Sequence, residues 1–124
     1  MSREFSSGIL GGIVGSLATL GLMKIHKVVI TSSKQIIQPQ SLNAGATATL
    51  LPQTTYKFAI ILFHGDGDPQ VELTVKVNTK TFTLLGNEQA IEVVANETVE
   101  ITATNTDTAN PHNTPTVEIA YLTW

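Results

Sequence analysis

A run of sixteen residues without any charged side chain lies near the start of the chain. From Gly8 to Met23 the sequence reads GILGGIVGSLATLGLM. A helix of sixteen to eighteen residues is about 24–27 Å long, close to the lower limit for crossing a hydrocarbon core of about 30 Å. The run therefore predicts a hydrophobic helix within residues 1–26, which the protein must bury in lipid or against other protein.

Small residues recur at intervals of four along this run. Such spacing places them on one face of a helix, where a second helix backbone can approach closely. Each Gly in a water-exposed helix costs roughly 1 kcal/mol relative to Ala, so the helix needs a packing partner or lipid. The helix-packing positions predicted in this way are Gly8, Gly11, Gly12, Gly15, Ser16 and Thr19.

Three interpretations of the apolar run compete: a membrane anchor, a helix buried inside an assembly, and a secretory leader. The residues that follow the run are Lys24-Ile25-His26-Lys27, and they contain no small-x-small cleavage site. A membrane anchor that also self-associates is the interpretation we favour. Its implied partners are a lipid membrane, further copies of the chain, or both.

Charge divides the chain into two unlike parts. Residues 1–40 carry a net charge of +3, whereas residues 41–124 carry −6. Proteins that bind nucleic acid need a basic surface to displace the counterions of phosphate. Beyond Lys34 the chain has no such surface, and Arg3 is its only arginine. We therefore expect no nucleic-acid partner.

The remainder of the chain has the residue pattern of β-strands. In Gln70–Asn78 apolar and polar residues alternate with period two, which predicts a half-buried strand. Tyr56–His64 is continuously apolar, which predicts a central strand covered on both faces. Asn96-Glu97 is expected to be the turn of a hairpin between Gln89–Ala95 and Thr98–Thr104. Further strands are expected at Lys27–Thr31, Ala44–Leu51, Thr81–Leu85 and Thr116–Trp124, and turns at Pro52-Gln53, Gly65–Pro69, Gly86-Asn87 and Asn105–Pro115.

The strands and turns predict the fold class. About eight short strands are typical of an antiparallel β-sandwich, either a jelly roll or an immunoglobulin-like sandwich. The chain is therefore expected to be mostly β, with an N-terminal hydrophobic α-helix. Three parts are predicted: the helix at 1–26, a junction with a possible first strand at 27–43, and the sandwich at 44–124.

Residues that usually carry catalysis are scarce in the predicted sandwich. The chain has no Cys, and no Ser follows Ser41, so the common nucleophiles of acyl transfer are missing there. His26, His64 and His112 are too far apart in sequence for a metal-ligand motif. We therefore expect a protein that is not an enzyme and holds no cofactor, with calcium as the one weak alternative.

Two polar loops are the best candidates for a site. In the first, HGDGDP, Asp66 and Asp68 stand two residues apart among glycines. Clustered oxygens of this kind suit calcium, although a tight turn explains the same residues. The second loop, Asn105–Pro115, is long and polar, which is typical of a mobile surface loop or of a contact with a partner or ligand. Its candidate contact residues are Asn105, Asp107, Asn110, His112 and Asn113.

The layout of an apolar helix, a short basic junction and an acidic β head is similar to the general plan of membrane-anchored virion proteins and of surface-filament subunits. We expect a homo-oligomeric structural subunit of a virion or similar assembly, in contact with other structural proteins. The alternatives are a pilus-like extracellular filament with the helices packed in its core, and a membrane-tethered module that binds a ligand or partner. The protein is expected at a membrane, in a virion or in a cell-surface assembly.

Strand exchange between subunits is a further expectation from this layout. The segment Lys27–Ser33 precedes the predicted sandwich, so it can leave its own sheet and add to the edge of a neighbour's sheet.

Overall fold

Two long antiparallel strands organise the fold. In the computed structural model, which describes residues 30–123, β3 (Thr47–Phe63) pairs with β6 (Ala90–Asn105) along nearly its whole length. Both strands are rich in Thr, Ile, Val and Ala, and β-branched side chains favour a pleated backbone. The other strands are β1 (Thr31–Ile37), β2 (Ser41–Leu42), β4 (Val71–Val77), β5 (Lys80–Leu85), β7 (His112–Asn113) and β8 (Val117–Thr123).

The two halves of the long pair belong to two different layers. The strand order of the main sheet is β1-β8-β3-β6-β4-β5, while β2 and β7 form a separate small ladder. Strand β8 pairs only with residues 58–63 of β3, and β4 pairs only with residues 99–105 of β6. We call β1, β8 and the paired segments 58–63 and 90–95 sheet I. Sheet II consists of 47–54, 99–105, β4 and β5.

The core lies between sheet I and sheet II. In sheet II the four valine and leucine side chains of β4 are at most 3% exposed. From sheet I they meet residues such as Ile61, Phe63 and Ile119, in one continuous buried cluster. Phe63 of sheet I and Leu84 of sheet II line the same small cavity of about 80 Å³. The main sheet is therefore folded over on itself, and residues 30–123 are mostly β, with eight antiparallel strands, consistent with a β-sandwich.

The predicted hairpin at Asn96-Glu97 is wrong. Strand β6 runs through these residues without reversing, because Glu97 and Thr98 continue the pairing with Tyr56 and Thr55 of β3. Asn96 has a φ of 54°, and one residue in the left-handed region bends a strand where a full turn needs more. The local turn signal therefore marks the bend between the two layers.

The predicted turn at Pro52-Gln53 is wrong for a similar reason. Strand β3 continues through it, and the β3–β6 register shifts between Thr49 and Leu51 and again between Leu51 and Thr54. Proline lacks a backbone N–H and is tolerated in a strand where the ladder is interrupted. Pro52 thus stands at an irregularity of a continuous strand.

The N-terminal predictions fall largely outside the described residues. The predicted helix, with its packing positions from Gly8 to Thr19, lies wholly outside residues 30–123. Within that range no helix is long and apolar enough to cross a membrane. Strands β1 and β2 both lie inside the predicted junction 27–43, and the predicted strand Lys27–Thr31 shares only Thr31 with β1. The predicted domain boundaries, and the choice between a jelly roll and an immunoglobulin-like sandwich, stay predictions.

The bend at Asn96 can be tested by substitution. We expect Asn96→Val to lower the free energy of unfolding by about 1–2 kcal/mol, because a side chain branched at Cβ is strained at positive φ. Asn96→Gly removes the same amide and relieves the strain, so its unfolding free energy should stay within about 0.5 kcal/mol of the parent. Urea denaturation followed by circular dichroism measures both. Equal stabilities of the Val and Gly variants would contradict the bend.

Candidate functional site

Both polar loops singled out in the sequence meet at one end of the sandwich. We call residues 65–69 and 105–116 together the loop cluster. The Asp68 N–H donates to the Asn113 carbonyl at 3.0 Å, and the Gly67 N–H donates to the Gly86 carbonyl at 3.0 Å. A Cβ at Gly67 would stand 2.6 Å from the Pro115 nitrogen, so only glycine allows this approach of two backbones.

At the centre of the loop cluster, His112 is held between two carboxylates. Its Nε2 lies 2.8 Å from Oδ2 of Asp107, and its Nδ1 lies 3.2 Å from Oδ2 of Asp68. The Asn113 N–H donates to the same Asp68 oxygen at 2.9 Å. His112 lies in β7, which pairs with β2. The imidazole is therefore attached to a short ladder between residues 41–42 and residues 112–113.

These contacts shift the protonation equilibria of all three groups. The hydrogen bond from His112, followed by the Ala109 N–H, lowers the pKa of Asp107 to about 2. The Asn113 N–H, followed by His112, lowers the pKa of Asp68. In return the bond to Asp107 raises the pKa of His112, and the contact with Asp68 adds to this. The shifts extend, toward both higher and lower pH, the range in which a positively charged imidazolium lies between two carboxylates.

Asp66 is attached separately to the second loop. Its Oδ1 accepts from the Thr116 N–H and its Oδ2 from the Thr116 hydroxyl, both at 2.7 Å. Burial alone would raise the pKa of Asp66, but these two bonds outweigh it and lower the pKa. Asp66 and Asp68 therefore hold donors of the 113–116 segment. Among residues 30–123 no three His, Asp or Glu side chains are placed to hold a metal ion, and calcium at Asp66 and Asp68 stays a prediction.

The buried Asn105 side chain links the loop cluster to the backbone of residues 42 and 43. The residue is fully buried, and its side-chain amide donates to the carbonyls of Leu42 at 3.0 Å, Asn43 at 3.2 Å and Asn110 at 2.9 Å. Its Oδ1 accepts from the Asp107 N–H at 2.9 Å. Asn105 thus connects three stretches of backbone, which is a structural role rather than that of a surface contact.

The other candidate contact residues occupy different surroundings. Asn110 and Asn113 are exposed, whereas the His112 side chain is 19% and the Asp107 side chain 22% exposed. Sequence reasoning missed Thr114 and Thr116. Thr114 is fully buried and accepts from the Gln40 N–H at 2.9 Å. Nothing in the local pattern distinguishes these two threonines from the sixteen others in the chain.

The hydrogen bonds of the loop cluster hold its two loops together. Both ring nitrogens of His112 are engaged by carboxylates, so neither is available to activate a nucleophile within this arrangement. The cavity with aromatic walls lies elsewhere: Tyr56 and Tyr121, with ring centroids 5.5 Å apart, line about 290 Å³ near the bend, at the other end of the sandwich. This cavity is therefore not the aromatic pocket beside the loops that the ligand-binding alternative expects, and that alternative stays a prediction.

Comparisons with known proteins leave the family open. No protein-family model and no curated protein matches the chain. A solved chain from Bacillus endospore appendages, which form a novel family of disulfide-linked pili, aligns with a TM-score of 0.46 and 16% identity. The alignment covers 75% of this chain and 88% of that chain. Similarity at this level does not establish a shared function, and the present chain contains no Cys.

The anchoring role of Asn105 predicts a difference between two amides of the same loop. Asn105→Ala should lower the free energy of unfolding by about 1–3 kcal/mol, because it removes the buried hydrogen bond to the Leu42 carbonyl together with those to Asn43 and Asn110. Asn110→Ala removes an exposed side chain and should cost less than about 0.5 kcal/mol. Chemical denaturation measures both values. A smaller loss for Asn105 than for Asn110 would contradict the assignment.

The pH dependence of stability should report on His112. A raised pKa in the folded state means that His112 stabilises below its unfolded pKa of about 6.5 and ceases to do so as the pH rises through the folded value. A lowered pKa means that Asp107 stabilises above about 3.9, an effect that is lost as the pH falls through about 2. The melting temperature of the parent should therefore exceed that of His112→Gln most between about pH 4 and 6.5.

A double substitution is the control for that comparison. Because His112 and Asp107 act together, His112→Gln and Asp107→Asn should lower the melting temperature by less in combination than their separate effects add up to. Additive effects, or a difference that does not change from pH 4 to pH 9, would show that the cluster is not coupled.

Proposed function

We propose that the protein is a non-enzymatic structural subunit that assembles with copies of itself into a filament at the cell surface. The observation that supports this is the position of β1. Among the residues that the structure describes, it is the first strand, it forms one edge of the main sheet, and it pairs with β8 alone. Five of its seven residues are exposed. This favours the filament alternative over the virion subunit that the sequence layout suggested first.

An edge strand offers an unpaired row of backbone groups to another chain. Proteins usually protect such edges, because an open edge adds strands from neighbours. In β1 the only long apolar side chains are Ile36 and Ile37, and Ile36 is 46% exposed. The strand is attached to its own sandwich by its backbone ladder with β8, by the Lys34–Glu118 ion pair of 3.3 Å and by Ile37, which packs against the core.

Exchange of β1 between copies would re-form all of these contacts. If β1 leaves its own β8 and pairs with β8 of a neighbour, the same ladder and ion pair form in the new place. Residues 38–40, with Pro39, connect β1 to β2 and would serve as the hinge. Donor and acceptor surfaces differ, so each subunit can give one strand and receive one. A contact of this head-to-tail kind continues into a filament unless it closes into a ring.

Electron microscopy of the native source material tests the function. We expect filaments of constant diameter that contain the intact chain. Particles that enclose a membrane would support the virion subunit and overturn the filament, and a dispersed protein at a membrane would support the tethered binding module.

A disulfide that ties β1 to its own β8 tests the strand exchange. Thr31 and Thr123 are register partners and both are exposed, and the chain has no Cys that could interfere. Under oxidising conditions the variant Thr31→Cys/Thr123→Cys should remain unassembled, and reduction should restore filaments. A matched control ties β4 to β5 through Thr74→Cys/Thr83→Cys, also register partners, and should assemble in both conditions. Assembly of the oxidised β1–β8 variant would contradict strand exchange.

A further inference from the structure

The outer surfaces of the two sheets differ sharply in chemistry. On sheet II the outward positions of β4 are Glu72, Thr74 and Lys76, and their partners on β6 are Thr104, Thr102 and Glu100. This is the surface expected of a solvated sheet. On sheet I the outward positions of β3 and β6 are apolar, whereas β1 and β8 also place Ser32, Lys34 and Glu118 there, and Lys34 and Glu118 form an ion pair of 3.3 Å at this side of the surface. We call this surface the outer apolar face, defined by Phe58, Ile60, Leu62, Ile91, Val93 and Leu122.

The strand register places these side chains side by side. Ile60 lies opposite Val93 of β6 and Ala120 of β8, and Leu62 lies opposite Ile91 of β6 and Glu118 of β8. Phe58 lies opposite Leu122. Since residues 59, 61 and 63 point into the core, the even-numbered positions of this segment of β3 point outward. The apolar side chains therefore form adjacent rows across three strands.

The burial of this surface is that of a covered face. Ile60 is 3%, Leu62 5% and Leu122 2% exposed, although none of them belongs to the core cluster between the sheets. At the margins of the same face, Ile36 and Val93 remain 46% and 43% exposed. The prediction of a central strand covered on both faces agrees with residues 59–63, which are all buried, although sheet II covers only their inner side.

We propose that the outer apolar face is the docking surface for residues 8–23 of the same chain. The chain enters sheet I through β1, which is the edge strand of that very surface. Residues 24–30 can reach about 23–25 Å when extended at about 3.3–3.6 Å each. Four strands about 4.8 Å apart are about 15 Å wide, so the run can fold back over its own sheet.

The dimensions and chemistry of the two surfaces match. A helix of sixteen residues is about 24 Å long, and the six paired residues of β3 extend about 20 Å. The run has no charge, and its Gly, Ser and Thr ridge allows close approach to large side chains such as Ile60 and Leu62. Packing a helix on the free side of a sheet gives a third layer, an arrangement common in protein domains. This docking within one chain applies to a subunit whose β1 pairs with its own β8, so it is tested on unassembled chains; exchange of β1 would move the run to the neighbour's sheet.

Photo-crosslinking in the full chain tests the docking. A benzophenone amino acid at Val93 should crosslink to a peptide from residues 8–23, whereas the same group at Thr102, on the outer side of sheet II, should not. Mixing ¹⁴N- and ¹⁵N-labelled chains as monomers, before illumination, shows whether the two crosslinked segments belong to the same chain. Crosslinked peptide pairs in which both peptides always carry the same nitrogen isotope support the proposal. Crosslinks between unequal labels, crosslinks from Val93 to another segment, and an uncrosslinked Val93 would each overturn it.

Limited proteolysis gives a second measurement that does not depend on the probe. Lys24 and Lys27 are trypsin sites directly after the run. Val93→Glu places a charge on the exposed margin of the outer apolar face, so it should increase cleavage at these sites at least tenfold, with an unchanged β signal in circular dichroism. Thr102→Glu is the matched control and should leave the rate unchanged. Equal rates in both variants would overturn the docking.

Discussion

The backbone ladder between β3 and β6 is the interaction on which the rest of the structure depends. It is the one pairing that runs through both layers, from Thr47–Thr104 in sheet II to Phe63–Ala90 in sheet I. Because the pairing keeps one register through the bend, from Thr54–Val99 to Phe63–Ala90, the position of one layer determines the position of the other. The buried cluster then fills the space that the bend encloses, with Ile61 and Leu73 fully buried on opposite sides.

The loop cluster supplies hydrogen-bond partners for strand ends that the bend brings together. Folding the sheet over brings the ends of several strands together, and their backbone polar groups need partners. Asn105 supplies donors to three carbonyls, while Asp66 and Asp68 accept from the opposite loop. When protonated, His112 balances the negative charge of the two aspartates that it contacts, Asp68 and Asp107. Part of the negative charge of residues 41–124 is in this way paired with hydrogen-bond donors within the fold.

Much of the sandwich was predictable from side-chain period alone. The alternation in Gln70–Asn78 identifies β4, since one face of that strand is buried and the other solvated. Asn96-Glu97 misled because a turn dipeptide is a local signal, whereas the pairing of Glu97 with Tyr56 is a contact between distant residues. β1 was placed too early because an edge strand with few buried side chains shows little alternation. The hydrogen bond between Asp68 and His112 joins residues 44 positions apart, and no local pattern in the sequence predicts it.

The pairing of β1 with β8 has a mechanical consequence. Thr31 and Thr123 are partners at the same end of their ladder, and the two strands run in opposite directions. Within one isolated subunit, a pull that separates these two residues loads the hydrogen bonds one pair at a time, so the ladder unzips under small force. Between neighbours that have exchanged β1, tension along the assembly acts parallel to the strands and loads all seven pairs at once. The same short ladder would thus be weak in a single subunit and strong in a stretched fibre.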